Sequence, residues 1–395
     1  MERSKQPMQP TAQQIVKQTV RSDVQNMAAY AVPDSKGFIK LDAMENPFGF
    51  PPHLHPGLMQ HLQQVGLNRY PQPAYTQLKE KLRATYAIPS DCGIILGNGS
   101  DELIDIITKA CAVDGAVILA PAPGFVMYSA SAMQMRIQFI GVDLLPSLEL
   151  DMPAMRVAIA EHKPALIYLA YPNNPTGNCY STEQIEEILH LAPGLVVIDE
   201  AYQPFALDTW MSRLPEYPQA VVMRTVSKWG LAGIRLGYMA GHSDWINQFE
   251  KLRPPYNVNV LTECAALYCL DHEAVFAQQA AVLRSERELL FKALQQLPGV
   301  QPFSSKANFI TTRFADGPSQ FNQLKADGIL VKDLSKMHPL LVNCLRLTVG
   351  SPPENAALMA SLKVKKSVNP GVNPSANPGA NPSANPGANP SAAPQ

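Results

Sequence analysis

The sequence predicts an α/β protein in which helices cover both faces of a mostly parallel central sheet, with a smaller α+β domain toward the C-terminus. Short apolar runs alternate with helical segments between about residues 94 and 241, which is typical of crossover connections between parallel strands. The runs are almost continuously apolar, as expected for strands that are covered on both faces. A helix-compatible stretch, residues 263–296, is then followed by shorter strand-like runs, and these predict the smaller domain.

Six runs predict the strands of the central sheet. In chain order they read GIIL, AVILA, ALIYLA, LVVID, AVVMRTVS and IRLGYMAG. The smaller domain is predicted from ANFITTRF, FNQLKADGILVKD and CLRLTVGS. The carboxyl ends of parallel strands meet at one edge of a sheet, where the ligands of open α/β sheets usually bind. The residues that follow each run are therefore the candidates for a functional site.

Five regions are predicted along the chain. Residues 1–20 form a flexible N-terminus, and 21–65, where apolar periodicity is weak, pack on the smaller domain or on a second subunit. Residues 66–270 form the large domain and 271–366 the small one. The end of the chain, 367–395, repeats an Asn-Pro unit and offers nothing larger than valine for burial. It is therefore predicted to be disordered, although a binding motif within it would fit the same composition.

The composition argues against several classes of protein. With a net charge of -1 at pH 7 and no long basic cluster, the chain is not expected to bind nucleic acid through its phosphates. It shows no window near the ~20 apolar residues of a membrane span, and its start lacks the apolar core of a secretory signal. The six cysteines are scattered without CxxC pairs, which favours a reduced, cytoplasmic location and predicts no metal site. The expected partners are small molecules or a second copy of the chain.

The first strand end carries the motif GNGSDELIDIITKA, residues 97–110. Gly97 and Gly99 allow a tight turn, and Ser100 is expected to cap the helix that follows. The free amides at a helix start bind anions, typically phosphate. A turn and a cap without any ligand would explain the same residues, so the phosphate interpretation stays open at this point.

The next strand ends carry an amide and a carboxylate. YPNNPTG, residues 171–177, places Asn173 or Asn174 at the sheet edge, or forms only a structural turn. DEAY places Asp199 at the mouth of a buried strand, with Tyr202 three residues later. A carboxylate in that position must be paired or protonated, and a buried salt bridge would explain it equally well.

A lysine with apolar neighbours, Lys228, follows the fifth run in RTVSKWGLAGIRLG. Desolvation and nearby positive charge would lower its pKa, and a neutral amine can attack a carbonyl. A lone lysine usually keeps its ammonium in water, but this one follows an anion motif, an amide and an Asp at neighbouring strand ends. Pyridoxal 5'-phosphate requires this set: a lysine for its aldehyde, a carboxylate for its pyridinium nitrogen, donors for its 3'-oxygen and a helix start with an arginine for its phosphate.

From about residue 24 to 351 the sequence resembles fold type I pyridoxal-phosphate-dependent aminotransferases, and more closely the histidinol-phosphate aminotransferase family. The resemblance implies that Lys228 forms the Schiff base with the cofactor and moves a proton between the substrate Cα and C4'. It implies that Asp199 keeps the pyridinium nitrogen protonated, and that Asn174 and Tyr202 bind the 3'-oxygen.

The resemblance also assigns the remaining cofactor contacts. Phe125 would stack on the ring, where many relatives have tyrosine, and Tyr70 would reach the phosphate of the neighbouring subunit in a homodimer. Arg235 follows Lys228 by seven residues, one fewer than in much of the superfamily, and in a helix that shift would turn it by about 100°. The residues that would hold the phosphate within the chain are Gly99, Ser100, Asp101, Ser227 and Arg235.

Substrate contacts are implied in the outer segments. Arg346, in CLRLTVGS, matches the arginine that forks onto the substrate α-carboxylate. Tyr30 and Lys332 match the positions that bind the substrate phosphate; many relatives have arginine at the second, and lysine supplies charge without a bidentate fork. Glu45 is expected near the imidazole end of the substrate, and Asn46 is expected to cap the next turn.

The implied reaction is the transamination of L-histidinol phosphate with 2-oxoglutarate, which gives imidazole-acetol phosphate and L-glutamate in histidine biosynthesis. An aromatic amino acid aminotransferase and a phospho-amino-acid decarboxylase on the same scaffold are alternatives. A cofactor-binding regulator without catalysis is disfavoured, because Lys228, Asp199 and Arg346 are all present.

Overall fold

The structure is a computed structural model, and it describes residues 11–29 and 33–363. The predicted disordered segment 367–395 lies outside these residues, as does the first half, residues 1–10, of the predicted flexible N-terminus. The strands are β1 (Ile39–Lys40), β2 (Cys92–Gly97), β3 (Val117–Ala122), β4 (Gln138–Asp143), β5 (Leu166–Ala170), β6 (Leu195–Asp199), β7 (Ala220–Thr225), β8 (Gly237–His242), β9 (Val300–Pro302), β10 (Phe309–Phe314), β11 (Ile329–Leu330), β12 (Lys332–Asp333) and β13 (Cys344–Thr348).

Helices surround these strands. They are α1 (Ala12–Thr19), α2 (Ser22–Gln25), α3 (His55–Gln63), α4 (Thr76–Tyr86), α5 (Gly99–Ala110), α6 (Val126–Met135), α7 (Met152–His162), α8 (Thr182–Leu191), α9 (Gln203–Ala206), α10 (Ser243–Glu250), α11 (Val260–Asp271), α12 (Glu273–Gln295), α13 (Gly317–Ala326) and α14 (Pro352–Lys363). In the described part of the chain, no helix is both long enough and apolar enough to cross a membrane.

The central sheet has seven strands in the order β2-β8-β7-β6-β5-β3-β4. All neighbours are parallel except β8, which is antiparallel to both β2 and β7. The predicted mostly parallel sheet is confirmed. Successive side chains of a strand point to opposite faces: in β6, Val196 and Ile198 join one hydrophobic core while Leu195 and Val197 join another.

One strand of this sheet was not predicted. The run QFIGVD forms β4 at the sheet edge, where Gln138 and Asp143 are exposed. Its mixed composition hides it from a search for continuous apolar runs, because an edge strand is not covered on both faces.

The smaller layer contains a four-stranded antiparallel sheet in the order β12-β13-β10-β9. Separately, β1 pairs in parallel with β11, so that part of the segment 21–65 contacts this layer. The domain boundaries themselves stay a prediction. The stretch 263–296, which was predicted as helix throughout, is two helices separated by His272, whose backbone leaves the helical conformation at φ −114° and ψ 27°. Neither glycine nor proline marks this break in the sequence.

Candidate active site

A cavity of about 370 Å³ opens at the carboxyl edge of the parallel strands. It lies where β6 and β7 end and where α5 and α6 begin. Its lining includes ten of the residues that the sequence assigned to a site: Glu45, Ser100, Asp101, Phe125, Asn174, Asp199, Tyr202, Ser227, Lys228 and Arg235. The site residues that are far apart in the sequence are therefore brought together.

Lys228 lies in the turn that follows β7. Its Nζ donates to the carbonyl oxygen of Ala43 at 3.0 Å and lies 5.9 Å from the centre of the Tyr202 ring. Burial lowers the pKa of Lys228 to about 8, and the positive charges of Arg346 and Arg235 act in the same direction. The direction expected from the sequence is confirmed, and the amine of Lys228 is partly neutral near physiological pH.

Asp199, the last residue of β6, is buried. Its Oδ2 accepts a hydrogen bond from the Tyr128 hydroxyl at 2.7 Å, and its Oδ1 accepts one from the amide of Ala201 at 3.0 Å. Burial raises the pKa of Asp199 to about 6, and these two hydrogen bonds oppose the increase. The buried salt bridge considered for Asp199 is formed instead by the next residue, Glu200, with Arg224 at 2.7 Å.

Tyr128 was not found from the sequence. It lies on α6 three residues after Phe125, and its ring contacts that of Phe125 edge-on, with 5.6 Å between the ring centroids. The Tyr128 ring also stacks on the Tyr168 ring, nearly parallel, with 4.2 Å between the ring centroids. In the sequence, helical spacing from Phe125 was the available signal, but nothing there shows that the hydroxyl reaches Asp199.

Asn174 connects the two layers of the site. Its Nδ2 donates to the Tyr202 hydroxyl at 3.2 Å, and its Oδ1 accepts from Arg346 Nη1 at 2.6 Å. Asn173 instead stabilises its own loop, because its Nδ2 donates to the Pro123 carbonyl at 3.0 Å. Of the two asparagines proposed from the sequence, Asn174 therefore faces the cavity.

The start of α5 forms one end of the cavity, but Ser100 does not cap the helix. The helix begins at Gly99, so that Ser100 lies in its first turn and Asn98 is the cap residue. The Glu102 carboxylate accepts the Asn98 amide at 2.7 Å, which satisfies the backbone just before the helix. Ser100 instead lines the cavity.

Arg235 reaches the same end of the cavity. Its Nη2 lies 3.1 Å from Asp101 Oδ2, and its Nη1 lies 3.5 Å from Ser227 Oγ. Arg235 adopts a left-handed conformation, φ 51°, directly after a short 3-10 helix, Ala232–Ile234. The segment from Lys228 is not one continuous α-helix, because Gly230 has a non-helical φ of 126°, so the spacing from Lys228 does not turn Arg235 away from the cavity. A guanidinium beside free helix amides and two hydroxyl side chains is suited to bind a phosphate.

The outer site residues are placed less closely. Lys332 on β12 is directly opposite Arg346 on β13, so the two side chains share one face of the small sheet. Glu45 lines the cavity and pairs with Lys40. Asn46 accepts the amide of Phe48 at 2.9 Å and so closes the turn, as predicted.

Among the described site residues, Tyr70, Gly99, Lys332 and Arg346 do not line this cavity. Tyr70 is 80% exposed and stacks on Tyr256, with 4.5 Å between the ring centroids. Tyr30 lies outside the described residues. Within those residues, no group of three or more His, Cys, Asp or Glu side chains could hold a metal ion.

Comparisons with known proteins identify the family and the fold. The sequence model described as aminotransferase class I and II matches residues 36–362. The chain is 53% identical to histidinol-phosphate aminotransferase 1 of Ralstonia nicotianae over 358 residues, 89% of this chain and 96% of that protein. It is also 53% identical to the histidinol-phosphate aminotransferase of Chromobacterium violaceum, over 88% of this chain and 98% of that protein.

A solved structure shows the same fold. The histidinol-phosphate aminotransferase of Sinorhizobium meliloti, crystallised in complex with pyridoxal-5'-phosphate, superposes with a TM-score of 0.77 at 22% identity, covering 87% of this chain and 96% of that one. The fold is therefore that of a fold type I aminotransferase. Together with the matched range 36–362, this shows that the chain belongs to the class I and II aminotransferase family.

Proposed function

We propose that this chain is a pyridoxal-phosphate-dependent aminotransferase that transfers the amino group of L-histidinol phosphate to 2-oxoglutarate, giving imidazole-acetol phosphate and L-glutamate in histidine biosynthesis. The observation that carries the proposal is the convergence of Lys228 and Asp199 on one cavity, with Arg346 donating a hydrogen bond to Asn174 in the cavity lining. The proposed substrate is taken from the names of the relatives that are 53% identical to this chain.

The donor groups of the cavity fit the cofactor. Asp199 is a buried carboxylate whose hydrogen bonds come from Tyr128 and a backbone amide, and a pyridinium nitrogen would supply the positive charge that a buried carboxylate needs. At the other end, Arg235 lies so close to the start of α5 that a Cβ on Gly99 would lie 2.6 Å from its Nη2. The backbone amides at the helix start and the Arg235 guanidinium are therefore close enough to bind the same phosphate.

In the proposed reaction, pyridoxal 5'-phosphate would supply an electron sink for the Cα–H bond of the donor. Lys228 supplies the amine that bonds the cofactor and later moves the proton from Cα. Asp199 holds the pyridinium nitrogen, while Tyr202 and Asn174 hold the 3'-oxygen. Phe125, which lines the cavity, would stack on the face of the ring.

The phosphate of the cofactor would be held by the end of the cavity at which α5 begins. The hydrogen-bonding groups there are hydroxyls, amides and one guanidinium, and in a homodimer the exposed ring of Tyr70 would reach the phosphate of the neighbouring subunit. The residues proposed within the chain are Gly99, Ser100, Asp101, Ser227 and Arg235.

The substrate is proposed to occupy the side of the cavity nearest the smaller layer. Arg346, whose guanidinium reaches Asn174 across the layers, would bind the α-carboxylate of glutamate or 2-oxoglutarate, because L-histidinol phosphate itself carries no carboxylate. Lys332, opposite Arg346 on the same face, would bind the substrate phosphate together with Tyr30. Glu45 would lie near the imidazole. A cytoplasmic location is proposed from the scattered cysteines, all six of which are free thiols.

The proposal is tested by mixing the holoenzyme with L-histidinol phosphate, and separately with L-phenylalanine, in the absence of keto acid. Loss of the visible absorbance of the lysine-bound cofactor with histidinol phosphate alone would support the proposed substrate. Loss with phenylalanine alone would move the assignment to an aromatic aminotransferase, and release of carbon dioxide from O-phosphothreonine would move it to a decarboxylase.

A variant of Lys332 tests the phosphate contact within the same assay. Lys332→Gln removes the charge but keeps a polar side chain, and it should raise the KM for histidinol phosphate about tenfold. The KM for 2-oxoglutarate in the same enzyme is the control. An equal rise in KM for both substrates would show that Lys332 does not bind the substrate phosphate.

A further inference from the structure

A single peptide unit connects Lys228 to the smaller layer. The carbonyl of Ala43 accepts the Lys228 ammonium at 3.0 Å. The amide of Met44, which belongs to the same planar unit, donates to Thr348 Oγ1 at 3.1 Å. Because a peptide unit is planar, the hydroxyl of Thr348 sets the direction in which the Ala43 carbonyl points.

The backbone at Met44 is held in an uncommon conformation. Met44 has φ 52°, in the left-handed region that residues with a Cβ seldom adopt. On its other side, its carbonyl accepts Asn308 Nδ2 at 2.9 Å. Thr348 and Asn308 are almost completely buried, at 2% and 1% exposure. Such a conformation persists only where the surroundings impose it, and here two buried side chains do so.

The strand that supplies Thr348 also supplies the proposed substrate arginine. Arg346 lies two residues earlier on β13 and donates through Nη2 to the carbonyl of Asp42 at 2.8 Å. Strand β13 thus holds two consecutive peptide units of the segment 42–44, one through a guanidinium and one through a hydroxyl. The group that would bind substrate and the group that would move the proton are attached to the same short segment.

We propose that Thr348 is a positioning residue for Lys228: it orients the Ala43–Met44 peptide so that the Ala43 carbonyl holds the lysine amine at the cavity whenever that amine is not bonded to the cofactor. This inference rests on the proposed aminotransferase function. When the neutral amine takes the proton from the donor Cα, the ammonium that forms meets an acceptor already in place, and a preoriented acceptor stabilises developing charge.

The test uses two variants of Thr348 and one matched control. Thr348→Val removes the hydroxyl and keeps the shape, whereas Thr348→Ser keeps the hydroxyl. The control is Thr312→Val in the adjacent strand β10. Thr312 is fully buried, and its Oγ1 has no hydrogen-bond partner among the described residues, so its loss should leave the segment 42–44 unchanged.

The first measurement is kinetic. In the holoenzyme, Thr348→Val should lower kcat about tenfold, the effect of losing a hydrogen bond to a charged group. It should also raise the isotope effect with a Cα-deuterated amino donor, while the KM changes much less. Thr348→Ser should restore both quantities, and Thr312→Val should match the wild type. A lower melting temperature for Thr348→Val with an unchanged isotope effect would overturn the proposal.

The second measurement needs no turnover. After the cofactor is removed from the full chain, the pH dependence of Lys228 acetylation, read by mass spectrometry, reports its protonation. The charged groups that face Lys228 are Arg346, Arg235, Glu45 and Asp101, and all of them are present in every variant.

Loss of the hydrogen bond to the Ala43 carbonyl destabilises the Lys228 ammonium and lowers its pKa. The pH midpoint of Lys228 labelling in Thr348→Val should therefore fall by about one pH unit. A midpoint equal to that of the wild type would refute the positioning role. If wild-type enzyme fails to turn over histidinol phosphate, the substrate assignment fails, but a shifted midpoint would still support the role of Thr348.

Discussion

Replacing Tyr128 by phenylalanine would remove one hydroxyl from the buried environment of Asp199. The ring would keep its parallel stack on Tyr168 and its edge contact with Phe125. The lost interaction is the 2.7 Å hydrogen bond that the hydroxyl donates to Asp199 Oδ2. The amide of Ala201 would remain as a donor to Oδ1.

The size of the effect follows from the charge on Asp199. A hydrogen bond to an ionised group contributes about 1.5–3 kcal/mol, and about 1.4 kcal/mol corresponds to one pKa unit. The pKa of Asp199, which burial raises to about 6, should therefore rise to about 7 or above in the variant. In the cofactor-free chain, the contribution of Asp199 to the free energy of unfolding falls as pH rises from its ordinary pKa to its raised pKa. In the variant, this fall should continue to a higher pH.

The pH dependence of cofactor affinity reports this rise in the pKa of Asp199 directly. A protonated Asp199 must lose its proton before it can pair with the pyridinium nitrogen, so binding weakens about tenfold per pH unit below its pKa. The titration of Lys228 is shared by both proteins and cancels when their dissociation constants are divided. The ratio of the Tyr128→Phe constant to that of the wild type should be near one at about pH 8 and should approach tenfold at about pH 5.

Tyr168→Phe is the matched control for this experiment. The hydroxyl of Tyr168 bonds Thr108 Oγ1 at 3.2 Å, so its removal leaves the donors to Asp199 in place while changing the same aromatic stack. Its dissociation-constant ratio should not depend on pH. If the Tyr128→Phe ratio were also independent of pH, the hydroxyl would serve packing alone and the reasoning would be refuted.

Three further predictions test other parts of the site and its support. Lys228→Ala should abolish transaminase turnover and the visible absorbance of the lysine-bound cofactor; retention of both would disprove the catalytic assignment. Gly99→Ala introduces a Cβ 2.6 Å from Arg235 Nη2 at φ +77° and should weaken cofactor binding at least about tenfold, whereas Gly115→Ala, also at positive φ but with nothing within 4 Å, should bind cofactor normally. Glu200→Gln leaves its arginine partner in a buried pair uncompensated and should lower the free energy of unfolding by about 3 kcal/mol; a loss below about 1 kcal/mol in urea titrations would contradict this.

The chemistry at the strand ends was predictable from the sequence. Buried parallel strands appear in the sequence as continuous apolar runs, so polar residues that follow them, such as Asp199 and Lys228, are easily recognised. The topology of a parallel sheet then places these residues at one edge. The roles of Phe125 and Arg346 could be assigned only through the family resemblance, since no local pattern separates them from ordinary core and strand residues.

Other contacts had no signal in the sequence. Tyr128 reaches Asp199 across 71 positions, and Met44 reaches Thr348 across 304. Both contacts depend on how distant elements pack, and neither hydroxyl belongs to a local motif. The helix break at His272 and the edge strand β4 were missed for a related reason, because tertiary packing rather than local composition determines them.

Two adjacent carboxylates at the end of β6 show why one residue is suited to bind a cofactor and its neighbour is not. Successive side chains at a strand end point in opposite directions, so Glu200 meets Arg224 in a buried ion pair while Asp199 faces the cavity. Among the described residues, Asp199 accepts hydrogen bonds but forms no ion pair. A buried carboxylate without a positive partner is held against a desolvation penalty, and its raised pKa expresses that penalty. The binding of a pyridinium would relieve this penalty. The environment that disfavours an ionised Asp199 in the absence of a cation is therefore the one that favours the protonated ring that transamination requires.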